Sequence, residues 1–568
     1  MHTTTEEVRA WIDADPDPTA RAELTQLLAR AAGEPGDGAA ESARADLDNR
    51  FAGTLEFGTA GLRGALGAGP NRMNRAVVIK AAAGLSAYLT SRVGAGFTVV
   101  IGYDARYGSA RFAQDTAAVV TAAGGRAMLL PGPLPTPVLA FAVRHLGTDA
   151  GVMVTASHNP PQDNGYKVYL GGRVVTDAGQ GAQIVPPYDA EIAARIAAAG
   201  PANLVPRTET GWTVLGADVR EAYLRRAASL IPARHTRDVR IVYTPMHGVG
   251  GATAVEALRR AGFTDVHVVA QQADPDPDFP TVAFPNPEEP GALNLALDMA
   301  RAVDADVVLA NDPDADRCSM AIPDRTVPGG WRQLTGDEIG ALLGAQTGQA
   351  MALTGRGVMA SSVVSSRLLA KVARSHGLEH RTTLTGFKWI ARTEGLVFGY
   401  EEAIGYCVDP AAVRDKDGIS AALRLAYLTA QLVNAGATFT ASLDDLARRH
   451  GLHATSQLSV RVEDLSLIPA AMARLRAAGP TTLAGSPVVA TTDLAEGSPD
   501  LPPTDGLLYL TAAEDRVIIR PSGTEPKLKC YLEVIVPVPD TGDVTATRRV
   551  AAARLERLRA DVAAAVGL

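Results

Sequence analysis

The segment LANDPDADRCSM sets Asp312, Asp314 and Asp316 at alternate positions directly after an apolar run, with Arg317 next. Carboxylates at that spacing in an extended loop converge on one point, and a hard divalent cation with oxygen ligands relieves their repulsion. An EF-hand does not fit, because its sixth position requires glycine and holds Arg317, while its twelfth requires glutamate and holds Pro323. The segment ADPDPDFP repeats the spacing with Asp274, Asp276 and Asp278. Its alternating prolines favour polyproline II, which splays residues two apart rather than gathering them. The 312–316 loop is therefore the expected metal site and the 274–278 stretch a decoy.

A second cluster is VTASHNPPQDNGYKVYL, in which Ser157 and His158 follow an apolar strand and Lys167 lies ten positions beyond the serine. A third, RPSGTEPKLK, offers Arg520, the hydroxyls of Ser522 and Thr524, Gly523 for close backbone approach, and Lys527. A guanidinium fork with hydroxyl and amide donors around glycine suits a phosphate dianion. FGTAGLRGALG is a similar glycine-rich loop carrying Arg63. TGFKWIARTEGLVFGYEEAIGY brings Lys388 and the adjacent acids Glu401 and Glu402, which can accept hydrogen bonds from vicinal sugar hydroxyls, Glu401 being the preferred contact. A serine expected to be exposed, a divalent-metal loop and a phosphate cradle together imply phosphoryl transfer through a phosphoserine. A metal that polarises the phosphoryl oxygens lets positioning carry most of the catalysis.

The elements that must hold these groups read as α/β layers. Short β-rich runs such as FTVVIGY (97–103), GVMVT (151–155), VRIVYT (239–244) and ADVVLA (305–310) alternate with stretches at helical spacing such as ADVREAYLRRAASLI. The polar clusters follow the strands, where open α/β sheets place their ligands. With 568 residues the chain exceeds one core. Breaks in the pattern suggest domains at 1–210, 211–330, 331–450 and 451–568, the last a smaller α+β piece. The composition, 46% hydrophobic and 20% charged, is that of a globular protein. A net charge of -8 without a basic block argues against nucleic-acid binding. Cys318, Cys407 and Cys530 show no CxxC spacing, so neither disulfides nor a zinc site is expected. No secretion signal or membrane span is read, and a cytoplasmic location is expected.

TASHNP, the DPDADR loop, the Glu-Glu loop and RPSGTEPK, in this order, resemble the α-D-phosphohexomutases, the phosphoglucomutase/phosphomannomutase family, over most of the chain after about residue 50. GTAGLRG, SHNPPQDNGYKVY, TGFKWI and YEEAIGY look most like the phosphopentomutase-like phosphoglucomutase branch. The resemblance implies three related α/β domains and a smaller fourth around a central cleft. It implies a phosphorylated Ser157, which with Asp312, Asp314 and Asp316 binds Mg²⁺, and Arg317 beside the sugar. His158, Lys167 and Arg63 would serve proton transfer and charge neutralisation, with Lys167 and Arg63 ahead of His158. Glu401 would bind sugar hydroxyls, and Arg520, Ser522 and Thr524 the phosphate that is not reacting. The implied reaction interconverts hexose 1-phosphate and 6-phosphate, with a sugar 1,6-bisphosphate as intermediate and activator; the sequence itself is compatible with either a monomer or a dimer. Alternatives are a phosphopentomutase, a sugar bisphosphate synthase, or a non-catalytic sugar-phosphate sensor. Two positions depart from the pattern: Ala403 stands where many members have serine, and Phe387 where some bacterial relatives have histidine.

Overall fold

The computed structural model describes residues 3–567 except 35, 58–60, 235, 353–354, 463, 465, 523–526 and 540–541. It comprises two compact units, Met1–Ala321 with Asp409–Tyr427, and Ile322–Val408 with Leu428–Leu568. No helix among the described residues is long and apolar enough to cross a membrane. The three cysteines are free and buried.

The first unit begins with the helices Thr5–Ala14, Pro18–Ala31 and Gly38–Arg50. Their starts are written in the sequence: Thr4 and Glu7 form a capping box, Asp17 caps a helix with proline in its first turn, and Asp37 accepts from Ala39 N–H. Val8, Leu24, Leu27, Ala43 and Leu47 close a small core with Ala68. Arg50 donates to Ala68 O, and Glu23 accepts from Ala68 N–H, so these helices grip the turn that follows the strand Leu62–Ala65 carrying Arg63.

Behind that turn lies a mixed sheet in the order Leu62–Ala65, Asp163–Leu170, Ala150–Val154, Thr98–Tyr103, Arg126–Leu129, Thr213–Val214. The last four run parallel, and Asp163–Leu170 is antiparallel to both of its neighbours. Ala150–Val154 is buried along its whole length, as its unbroken apolar run demands of an internal strand. A second sheet places Val266–Val268, Ile241–Thr244, Val307–Asn311 and Cys318–Pro323 in order. Ile241–Thr244 is parallel to Val307–Asn311, which turns back antiparallel into Cys318–Pro323 through the aspartate loop.

In the second unit, Glu379–Thr383, Val358–Ser362 and Leu396–Glu401 are parallel, and Gly405–Cys407 folds back on the last of them. Glu401 and Glu402 sit where that hairpin begins. The C-terminal sheet is antiparallel throughout, in the order Leu452–Arg461, Lys527–Val536, Arg516–Pro521, Leu507–Thr511, Ser486–Asp493, Thr482–Leu483. The helices Leu467–Ala477 and Val544–Val566 cover it, with Met472, Leu475, Leu558 and Val562 in its core. The architecture is thus three α/β sheets and a smaller α+β C-terminal domain, as the sequence implies.

Candidate active site

Ser157 follows the strand Ala150–Val154 and adopts φ +53°, the left-handed region that a non-glycine residue enters at a cost of about 1–3 kcal/mol. Its own N–H donates to Thr155 Oγ1 at 2.9 Å, which helps hold the turn. The serine is 1% exposed, contrary to the exposure its polar surroundings suggest, because the aspartate loop covers it. Ser157 Oγ donates to Asp312 Oδ2 at 2.7 Å and accepts from Arg317 Nη1 at 2.9 Å. His158 Nδ1 is 3.3 Å from the same oxygen and accepts from Arg317 Nη1 at 2.6 Å. Burial, then Arg317 and Arg63, hold His158 well below the usual histidine range, so its ring is neutral.

Asp312, Asp314 and Asp316 come together as their spacing predicts, each fully buried, with ligand oxygens within 4.8 Å of one another. The turn that gathers them closes through Ala315 N–H to Asp312 O at 2.8 Å, with Ala315 at φ +56°. Two glycines allow its close packing. A Cβ on Gly248 would stand 2.3 Å from Pro313 Cα, and one on Gly418 would stand 2.2 Å from Arg317 O. Lys167 Nζ donates to Asp314 Oδ2 at 2.8 Å and to Asp316 Oδ2 at 2.9 Å. Burial opposes the lysine's charge, but these carboxylates outweigh it and raise its pKa. Lys416 Nζ lies 3.2 Å from Asp316 Oδ2, and Thr136 Oγ1 donates to Asp314 Oδ2 at 2.7 Å. Burial also opposes ionisation of Asp316, yet Lys167, Lys416 and Arg317 hold it well below the carboxylate range; burial and Asp316 push Asp314 up.

Asp314 Oδ1 and Asp316 Oδ1 are buried without a hydrogen-bond partner. A buried charged oxygen left bare is costly unless something binds it. An all-oxygen donor set of this kind fits a hard divalent cation. Among the described residues this is the one such cluster. The decoy segment is not gathered, though for another reason than polyproline II: Asp276 Oδ1 accepts from Asp278 N–H, and Phe279 N–H closes a turn onto Asp276 O. Asp276 thus spends an oxygen on a local turn, and Asp278 Oδ2 accepts from Tyr107 O–H at 3.0 Å.

Arg63 Nη1 donates to Asn159 Oδ1 at 2.9 Å, while its Nε is buried without a partner. Burial, and then Arg317, bring its pKa down to about 10, which leaves it charged at neutral pH. The structure therefore draws Ser157, His158, Lys167, Arg63, Arg317 and the aspartates into one network in the first unit. It adds Thr136, Lys416 and Arg106, which the sequence reading missed. None of the three carried a signal of its own; Lys416 is one of two cations in the mixed-charge run RDKDG.

In the second unit, Glu402 Oε2 accepts from Ser362 Oγ at 2.9 Å and Ser365 Oγ at 3.0 Å, and burial followed by Glu401 raises its pKa. Lys388 lies on the short helix Phe387–Ile390. Arg520 ends the strand Arg516–Pro521, and Ser522 N–H donates to Lys527 O at 2.9 Å across the loop that joins it to Lys527–Val536. Gly523 and Thr524 fall outside the described residues. Burial and then Glu402 raise the Tyr531 phenol, while Arg520 lowers it.

Residues 54–203 match the phosphoglucomutase/phosphomannomutase alpha/beta/alpha domain I, 221–326 domain II, 335–450 domain III, and 458–544 the C-terminal domain. That succession defines the class as a phosphosugar mutase, an enzyme, with Ser157 in the first matched domain and the aspartate loop 312–316 in the second. The chain belongs to the phosphoglucomutase/phosphomannomutase family, the α-D-phosphohexomutases. It is 45% identical over 478 residues to a Haemophilus influenzae protein named "Probable phosphomannomutase", covering 83% of this chain and 95% of that one. It is 36% identical over 571 residues to a Schizosaccharomyces pombe protein named "Probable phosphoribomutase", covering 92% of each. The fold also matches a solved phosphoglucomutase/phosphomannomutase family protein from Burkholderia thailandensis, with TM-score 0.66, 20% identity, and coverage of 90% of this chain and 97% of that one.

Proposed function

We propose that the protein interconverts hexose 1-phosphate and hexose 6-phosphate, with Ser157 carrying the phosphoryl group between them and a sugar 1,6-bisphosphate as intermediate and activator. The observation that carries this reading is the buried Ser157 hydroxyl, 2.7 Å from Asp312 Oδ2, beside two aspartates that each keep a buried oxygen without a hydrogen-bond partner.

Asp312, Asp314 and Asp316, with the phosphate on Ser157, would hold Mg²⁺, which when bound neutralises phosphoryl charge. Arg317, already donating to Ser157 Oγ, follows the charge that gathers on that oxygen. Lys167, kept protonated between two carboxylates, is a neutralising cation and a proton donor rather than a base. The neutral ring of His158 adjoins the serine oxygen and orients Arg317. Arg63 supplies a second buried positive charge. Glu401 takes sugar hydroxyls, with Glu402 and Lys388 beside it. Arg520, Ser522, Gly523, Thr524 and Lys527 cradle the phosphate that is not reacting.

A pentose reading is favoured by one observation, the 36% identity to the protein named as a phosphoribomutase. The 45% identity to the protein named as a phosphomannomutase favours a hexose. The test supplies glucose, mannose, ribose and deoxyribose 1-phosphates to the purified protein and follows each 6- or 5-phosphate, with Ser157→Ala as the blank. We expect hexose turnover to exceed pentose turnover and the blank to be inactive. Faster pentose turnover would overturn the hexose assignment, and activity in the Ser157→Ala protein would overturn the phosphoserine.

A further inference from the structure

Arg106 lies just beyond the strand Thr98–Tyr103 and is 4% exposed. Its Nη2 donates to Ser157 O at 2.6 Å and Asn159 O at 2.5 Å, and its Nη1 to Pro160 O at 2.8 Å and Asp163 O at 3.2 Å. One guanidinium thus collects four carbonyls from the loop that bears the serine, and Ser157 is the residue of that loop held at positive φ. The fork is itself fixed from two sides. On one, Asp104 Oδ1 accepts from Arg106 N–H at 3.0 Å and from Ser109 Oγ at 2.6 Å, with Asp104 Oδ2 3.5 Å from Arg106 Nε. On the other, the guanidinium lies over the Phe279 ring, 4.9 Å from its centroid.

Phe279 is 2% exposed and held at φ +47°. It ends the second acidic segment, the one that gathers no metal. That segment is tied down by Asp276 N–H to His247 O, by Asp278 N–H to Asp276 Oδ1, and by Tyr107 O–H to Asp278 Oδ2 at 3.0 Å. Its aspartates build a strap that presses an aromatic ring onto Arg106.

We propose that Arg106 is a positioning residue for phosphoryl transfer: its fork fixes the backbone of 157–163 so that Ser157 Oγ stays opposite Asp312, and the 276–279 turn keeps the fork in plane through Phe279. This rests on the reading of Ser157 as the phosphoryl carrier. A planar fork can serve two pairs of carbonyls at once, whereas a lysine is a point charge on a flexible stem and cannot. The strained serine conformation needs such over-determination to persist.

The test uses the full-length Arg106→Lys and Phe279→Leu proteins, with thermal unfolding to verify the fold and intact mass to read phosphate on Ser157. Steady-state kinetics are run with glucose 1-phosphate, Mg²⁺ and glucose 1,6-bisphosphate. Displacement of a reacting group by about 1 Å costs on the order of 100-fold, so kcat should fall about 100-fold in Arg106→Lys and about tenfold in Phe279→Leu, with KM within about threefold of wild type. Free guanidinium ion added to Arg106→Ala should restore part of the lost kcat, a rescue that a bulk loss of packing would not show. A kcat for Arg106→Lys within about threefold of wild type, or a loss confined to KM, would overturn the proposal. If Arg106→Lys does not fold, Phe279→Leu decides by the same split. Wild type that takes no phosphate on Ser157 defeats the phosphoserine reading itself. Phosphorylated wild type alongside an unimpaired Arg106→Lys defeats only the role of Arg106.

Discussion

Asp314 and Asp276 carry the same side chain in segments of the same spacing, yet their surroundings assign them opposite work. Asp314 is fully buried, one oxygen shared by Lys167 and Thr136 and the other bare, whereas Asp276 spends an oxygen on the backbone of Asp278. Asp314→Asn removes a charge from the cluster, and we expect it to lower divalent-dependent kcat by about 100-fold or more. Asp276→Asn keeps an acceptor for the turn, so its activity should stay within about twofold, the range of a surface substitution. Comparable losses in the two variants would refute the assignment of the metal loop. The aspartate loop was legible because residue type and spacing alone bring three carboxylates together after a buried strand. The burial of Ser157 was not, since what covers it arrives from a loop 155 residues away. Thr136, Lys416 and Arg106 escaped for the same reason: each is an ordinary residue in its own segment and becomes part of the site through tertiary contact. The decoy was recognised as one, but its mechanism was misread, because side-chain capping by Asp276 outweighs the polyproline preference of the flanking prolines.

The turns that connect strand ends do the positioning, and they depend on backbone approaching backbone. Gly418 N–H donates to Ala315 O, and its missing Cβ leaves room for Arg317 O, so the helix Gly418–Asn434 starts against the aspartate loop. Gly418→Ala would force an atom to 2.2 Å from that oxygen and 2.6 Å from Asn311 Nδ2. Overpacking of this kind costs about 1–3 kcal/mol, and because the clash falls on the aspartate turn we expect activity to fall along with the melting temperature. Gly38, the first residue of its helix, has nothing within 4 Å of where a Cβ would stand, so Gly38→Ala should be neutral or stabilise by up to about 1 kcal/mol. Equal melting temperatures for the two variants would show that the close approach at Gly418 is not under strain. Strands and their helices were readable from apolar runs and helical spacing. The three-helix bundle at the N-terminus was not read from the sequence, because its core forms partly on Ala68 of another segment.

On the scale of the whole molecule, the second unit is pinned by a buried ion cluster. Glu533 accepts from Ser366 Oγ, Arg367 N–H, Arg367 Nε and His453 Nδ1, and Arg516, 3.2 Å away, also donates to Val363 O and Ser365 O. Burial alone would raise this carboxyl, but Arg516, His453 and Arg367 hold it well below the usual range. A depressed carboxyl stabilises the fold above its unfolded pKa, ~4.3 for glutamate, and that stability is lost as pH falls towards the folded value. The melting temperature should therefore drop as the pH is lowered from about 5 to about 3, and Glu533→Gln should melt lower at neutral pH with a flatter acid limb. An acid limb of unchanged slope in the variant would remove Glu533 from the titration. The four matched domains establish the family without choosing the sugar, since both hexose and pentose names occur among the relatives.

The phosphoserine cycle meets its most direct test in protein stripped of phosphate. A bare Ser157 cannot donate to a monophosphate, so a bisphosphate must recharge it, and one recharging then supports many turnovers. The measurement gives stripped protein glucose 1-phosphate and Mg²⁺, with or without a trace of glucose 1,6-bisphosphate, and follows glucose 6-phosphate and inorganic phosphate together. We expect a long lag or no product without the bisphosphate, prompt isomerisation with it, and little inorganic phosphate in either case. Inorganic phosphate released in step with free sugar would mark a phosphatase and contradict the mutase cycle.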